Sequence, residues 1–265
     1  MTVERATPGM EDWVELAAPH LARYLMAADL TAGRRVLDAG SGVGYGAAIL
    51  CAGGAALVLG VDVDPVAVAE AQRRYGAVNL SFVEDDCEQL DGVEGGWDVI
   101  CCFEAIEHLQ HPDAFLARAG RLLATDGVLL VSTPDRDGTP PFRDGRPRNR
   151  FHRHEWFTDE FVAMLRRHFH DVELRVQVET NALQARRAAV AAVREGLTFC
   201  NPLSAFIWRK WPLRRKTDRA WSRLQGLAAP GLADYPIVPA ALAAVYGKPR
   251  FNLGVCRRPV SGGHS

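Results

Sequence analysis

Nowhere in its 265 residues does the chain carry an apolar run of membrane-spanning length, and its first residues lack the pattern of a secretory leader. Neither a spanning helix nor an exported precursor is expected, and the cytoplasm is the expected location. Charge of one sign is missing too: 31 Lys and Arg oppose 32 Asp and Glu, a formal net charge of −1. Whole-chain charge therefore points to no polyanionic partner. Cysteine is sparse, and the six (51, 87, 101, 102, 200 and 256) fall mostly in apolar runs without C-x-x-C spacing. That suggests neither a disulfide framework nor a zinc site, and predicts buried, reduced thiols. There is no internal repeat and no low-complexity tract. With 48% apolar residues, the chain can bury a full core, as one large domain or one domain plus an elaboration.

One stretch organises the rest: Val36-Leu37-Asp38-Ala39-Gly40-Ser41-Gly42-Val43-Gly44-Tyr45-Gly46. A short apolar run ends at Asp38, glycines follow, and a small-residue helical pattern begins at Ala47. This is the strand–turn–helix opening of a doubly wound α/β fold, in which ligands settle beyond the carboxyl ends of the strands. Two further runs end in acids: Leu57–Val61 at Asp62, and Leu80–Val83 at Glu84-Asp85-Asp86. Asp62 comes about 20 residues after the glycines, the spacing of a ribose-binding carboxylate. The dinucleotide fingerprint is G-x-G-x-x-G, but this turn reads G-x-G-x-G and is preceded by an acid. A carboxylate at Asp38 would repel a diphosphate and suits the ammonium of an amino acid.

The turn resembles motif I of the class I S-adenosylmethionine (SAM) methyltransferases. In that family the glycine turn holds the methionine part, the acid after strand two binds the ribose hydroxyls, and the acid after strand three binds the adenine amine. The resemblance thus implies SAM as cofactor, held by Asp38, Gly40, Gly42, Gly44, Asp62, Val63, Asp86, Cys87 and Phe103. It extends over about residues 30 to 178. Strand four, Trp97–Phe103, leads into Glu104-Ala105-Ile106-Glu107-His108-Leu109, helix D starts near His111-Pro112-Asp113, and Gly127–Ser132 is strand five. The implied fold is a Rossmann-like, seven-stranded, mostly parallel sheet flanked by helices.

Around that core, residues 10 to 30 have the periodicity of an amphipathic helix. A helix follows Asp64-Pro65 and runs to about Tyr75. Thr158-Asp159-Glu160 reads as an N-cap before a helix Phe161 to Phe169, and Val172–Val178 as strand six. Pro134 to Arg153 is too long for a mere connector and carries six arginines (136, 143, 146, 148, 150 and 153); a substrate lid is the preferred reading. Phe251–Cys256 is the candidate final strand. The expected organisation is a SAM-binding core with its N-terminal helix over 1–178, a helical insertion capping the substrate over 179–250, and a final strand and tail over 251–265. If strand six is parallel, the insertion leaves from the cofactor edge.

Methyl transfer from a sulfonium asks mainly for alignment, with a base where the acceptor must lose a proton. Glu104 and His108 stand four apart and would share one face if helical, the acid orienting the imidazole. A structural role for that turn is the alternative. His152 and His154 could enter the pocket or anchor the lid; the catalytic candidates are His108, Glu104 and His152. Glu104, Glu107, His108 and a later histidine also resemble the metal set of the HEN family of small-RNA 3′-end 2′-O-methyltransferases. Relatives thought to be metal-free share the E-x-x-E-H motif, and no metal is assigned on it. Segment 207–224 interleaves Arg and Lys with Trp208, Trp211 and Trp221. It reads as a solvated helix face, as a platform for anionic or lipid-linked substrates at a membrane interface, or as a nucleic-acid contact, which the near-neutral whole-chain charge disfavours. The expected function is methyl transfer to an oxygen or nitrogen of a small-molecule or carbohydrate acceptor. The rivals are the metal-dependent RNA enzyme and a non-catalytic SAM-binding protein.

Overall fold

The computed structural model describes residues 13–138, 149–184 and 232–260. Five strands come first: β1 (Arg35–Ala39), β2 (Leu57–Asp62), β3 (Leu80–Glu84), β4 (Trp97–Phe103) and β5 (Leu123–Pro134). They pair in parallel in the order β3-β2-β1-β4-β5. Beyond them lie β8 (Gly247–Pro259), β6 (Phe169–Thr180) and β7 (Ile237–Pro239). Because β8 runs antiparallel to both β5 and β6, β6 is parallel to the first five strands.

Among the described residues the sheet therefore has eight strands where seven were expected. The extra one, β7, is three residues at the edge, too short for an alternation to betray it, and it lies within the span read as a helical insertion. The last strand begins at Gly247, four positions before the expected Phe251. Residues 181–184 begin a helical turn; the rest of the helix-prone 182–194, the basic 207–224 and the central loop 139–148 lie outside the described residues.

Alternation along each strand builds two cores, one per face of the sheet. Leu37, Ile100, Cys102, Leu129 and Val131 pack with Phe115, Leu116 and Ala119 of α4 (Pro112–Leu122) and Phe161, Met164 and Leu165 of α5 (Thr158–His168). On the other face, Val36, Val58, Val99, Cys101 and Leu130 pack with Tyr24 and Ala27 of α1 (Trp13–Ala28), Ala47 and Leu50 of α2 (Tyr45–Ala52) and Ala71 of α3 (Pro65–Tyr75). The cap of α3 is as expected, with Pro65 in the first turn and Asp64 accepting from the Val66 amide at 2.8 Å. At α5 the cap differs. The helix starts at Thr158 and Phe157 is the N-cap residue, its amide donating to Glu160 at 3.0 Å. The Thr158 hydroxyl is directed to the buried Asn252 at 3.1 Å. Among the described residues no helix is long and apolar enough to cross a membrane.

Candidate active site

The parallel strands deliver their carboxyl ends to one rim, where the sequence-picked residues collect. After β1 the chain turns through Gly40, Gly42 and Gly44, with φ of 80°, 53° and 85°. These values lie in the left-handed region that favours glycine. The turn is tied to β2: Gly40 and Ser41 amides donate to the Val61 carbonyl at 2.8 and 2.9 Å, and the Gly42 amide donates to Asp62 Oδ2 at 2.8 Å. Asp62 Oδ1 accepts from the Asp64 amide at 3.0 Å, so this carboxylate fixes two consecutive loops. One strand over, the Asp85 amide donates to the Asp62 carbonyl at 3.2 Å, and half-buried Asp86 caps the following turn through the Glu88 amide at 2.9 Å.

Cys87 is buried just after Asp86. Burial first, then the charges of Asp62 and Asp86, and also Asp38, push its thiol well above the usual range, while a backbone bond from Gly40 opposes them. Val63, by contrast, projects outward, 62% exposed.

Asp38 is fully buried. The Tyr24 hydroxyl donates to both its oxygens, at 3.1 and 3.3 Å, and Tyr24 packs edge-on against Phe103 with centroids 5.1 Å apart. Desolvation raises the Asp38 pKa to about 7, with the Tyr24 bond opposing and the charge of Asp62 assisting. It is a buried carboxyl in want of a cation.

After β4 the expected helical pairing of Glu104 and His108 does not form. Glu104 has φ of 53° and only Ile106–His108 is a short 3-10 turn, so the two side chains diverge. Glu104 Oε1 accepts from Ser132 Oγ at 2.8 Å and lies 3.8 Å from Nη2 of the buried Arg23. His108 Nδ1 donates to the Phe151 carbonyl at 3.0 Å, which leaves Nε2 as its basic nitrogen. The backbone oxygen of Phe151, not Glu104, orients the imidazole. The segment that follows is fastened further: the Arg153 and His154 amides donate to the Glu107 carbonyl at 2.9 and 3.1 Å.

His152 faces His108, with ring centroids 5.1 Å apart, whereas His154 stacks on Trp156. Asn149 Oδ1 accepts from the Phe151 amide, so its Nδ2 donates to His152 Nε2 at 2.9 Å, and His152 Nδ1 points to Glu155 at 3.2 Å. Glu107 is buried; desolvation and the nearby Glu104 push its pKa well up. Among the described residues its Oε2 has no hydrogen-bond partner, and ligand atoms of Glu107, His108 and His152 lie within 4.8 Å of one another.

Arg23, Tyr24 and Tyr45 were not singled out from sequence as site residues. The available signal was Arg23 itself, four residues before fully buried Ala27 on the inward stripe of α1.

A family model described as "Methyltransferase domain" matches residues 10–186. The chain is 36% identical over 165 residues to a "Probable S-adenosylmethionine-dependent methyltransferase" of Mycolicibacterium smegmatis, covering 62% of this chain and 63% of that protein. It is 31% identical over 105 residues to a "Ubiquinone biosynthesis O-methyltransferase" of Neisseria meningitidis, covering 38% of this chain and 44% of that one. The chain thus spans less than two thirds of the length of these curated relatives. A solved SAM-dependent methyltransferase of Thermotoga maritima shares the fold, with a TM-score of 0.56 at 15% identity over 93% of this chain and 92% of that one. Model match, relatives and fold agree with the glycine turn and its three acids: the chain belongs to the class I SAM-dependent methyltransferase family.

Proposed function

We propose that the protein transfers a methyl group from SAM to an oxygen or nitrogen of a small-molecule or carbohydrate-type acceptor. The observation that carries this reading is that the glycine turn after β1, Asp62 at the end of β2 and Asp86 two residues past β3 line one rim, with the Gly42 amide bonded to the Asp62 carboxylate and the Asp85 amide to the Asp62 carbonyl. The donor set fits the cofactor: Asp38 is a buried carboxyl that an ammonium would compensate, and Asp62 ends β2 while Asp86 follows the adjacent β3 by two residues, where ribose and adenine would be held. When bound, SAM supplies an electrophilic methyl on a sulfonium whose positive charge disappears in the transfer. The chain's own task is then to align the acceptor, worth on the order of 7–11 kcal/mol in favourable cases, and to take its proton, worth ~10²–10⁴-fold.

His108 suits the second role, with Nδ1 fixed on Phe151 and Nε2 left to accept. Glu104 borders the methionyl end, and His152, held between Asn149 and Glu155, anchors the lid limb above His108. The O-methyltransferase relative favours an oxygen acceptor. Calorimetry with S-adenosylhomocysteine tests the site. Asp62→Ala should bind at least about tenfold more weakly, as expected for lost hydrogen bonds to a charged group; unchanged affinity refutes the assignment.

A second reading, metal-dependent transfer as in RNA 3′-end methylation, is favoured by the cluster of Glu107, His108 and His152 with its unpartnered Oε2. It requires His152 Nε2 to exchange the Asn149 amide for a cation. Activity that survives chelation, with no Mn²⁺-induced thermal shift, removes it.

A further inference from the structure

α5 carries a second face that the core does not use. Phe161, Met164 and Leu165 are buried against the sheet, whereas Asp159, Val162, Ala163 and Arg166 recur at the spacing of one outward stripe. Along that stripe runs a cavity of about 720 Å³, bounded by these four residues with Asp137 and Phe157. At Arg166 it meets a second cavity, of about 320 Å³, which Arg166 lines together with His170 and Arg257. Val162 is half-buried, Ala163 is exposed, and Phe157 leaves 37% of its surface open. The two cavities form one groove beside a helix of 11 residues, about 16 Å long, with its apolar part in the middle.

The ends of the groove carry opposite charge. Asp137 and Asp159 stand at the start of α5; Arg166, His170 and Arg257 stand at its far end. The carboxylates at the basic end are already matched, Asp171 by Arg258 and Glu173 by Arg175 at 2.8 Å. At the acidic end the guanidinium of Arg136 lies over the Phe157 ring, 4.6 Å from its centroid. Among the described residues Asp159, Arg166, His170 and Arg257 have no ion-pair partner. A surface that is acidic, then apolar, then basic complements itself when turned end for end.

We propose that this groove binds a second copy of the chain, α5 against α5, across a two-fold axis passing between Val162 and Ala163. The spacing along the helix is symmetric about that axis. Asp159 falls opposite the partner's Arg166, and Val162 falls opposite the partner's Ala163. A two-fold contact repeats each pairing, so one stripe supplies both ion pairs and both halves of the apolar centre. The small side chain of Ala163 allows the two helices the 8–10 Å approach usual for packed helices.

Sedimentation equilibrium on the full chain tests the inference. Wild type should dimerise with a dissociation constant below about 100 µM in about 50 mM NaCl and weaken several-fold in about 0.5 M. Asp159→Arg or Arg166→Glu alone sets like charges together twice per dimer, and each should weaken self-association about 10- to 100-fold. Mixing the two variants matches every guanidinium with a carboxylate again and should restore association to within about threefold of wild type. A wild type still monomeric at about 200 µM overturns the inference. So do single variants that dimerise as wild type does, or a mixture that associates no better than its components. If either charge variant does not fold, Ala163→Cys carries the test, since the axis passes beside it. Diamide should then link two copies through that thiol, and no more cross-linking than in wild type overturns the inference.

Discussion

Asp38→Asn gives the sharpest test of the site's electrostatics. Asp38 ionises near 3.8 in the unfolded chain and, desolvated in the fold, near about 7. Below 3.8 both states hold the proton and stability is undiminished. Between the two values the unfolded chain binds fewer protons than the folded one, so stability falls as pH rises, and above about 7 the loss is complete. At about 1.4 kcal/mol per pH unit the whole displacement amounts to about 4 kcal/mol, of which about 2–3 kcal/mol falls between pH 5 and pH 7. Asparagine keeps the shape and can still accept from Tyr24 but has no proton to lose. Urea unfolding at pH 5 and 7.5 should show wild type losing about 2–3 kcal/mol relative to Asp38→Asn across that interval. Parallel profiles refute the reasoning. A bound ammonium should favour the ionised carboxyl, so S-adenosylhomocysteine binding near pH 6 should release protons, seen as a dependence of the calorimetric enthalpy on the buffer's ionisation heat.

At the glycine turn, a Cβ on Gly44 would stand 2.7 Å from Ala71 Cβ and 2.8 Å from the Phe82 ring, at φ of 85°. Backbone strain and overpacking together put Gly44→Ala at about 2–5 kcal/mol less stable by urea unfolding; a loss under about 1 kcal/mol contradicts the packing described. Arg167 bridges α5 to Asp113 of α4 at 2.9 Å, but both side chains are more than half exposed. Arg167→Ala should therefore cost less than about 1 kcal/mol in the same assay, and a larger loss would mean that the pair is shielded from solvent.

The half of the sheet that forms the rim was legible in the sequence because its signals are local. An apolar run, a glycine turn and an acid at the strand end each need only a few neighbouring residues, and the parallel β1, β2 and β3 bring Asp38, Asp62 and Asp86 to the same edge of the sheet. The misreadings share one cause: a local pattern was satisfied by a different long-range partner. Glu104 and His108 have helical spacing, but the left-handed φ of Glu104 breaks the helix. Thr158 has a capping residue's chemistry, yet Asn252, 94 positions away, takes its hydroxyl. Arg23 was invisible for the opposite reason: a charged residue is presumed exposed, and only the assembled fold places it inside.

The antiparallel β8 has a consequence for how the molecule is assembled. It pairs with β5 on one side and β6 on the other, so among the described residues β6 and β7 join the main sheet through it. During synthesis the first five strands can zip together as they emerge, while β6 must wait for about seventy further residues before its bridge to them exists. A ribosome-stalled or truncated product ending before Gly247 would expose the flank of β5 as an open edge, ready to pair with a neighbouring chain.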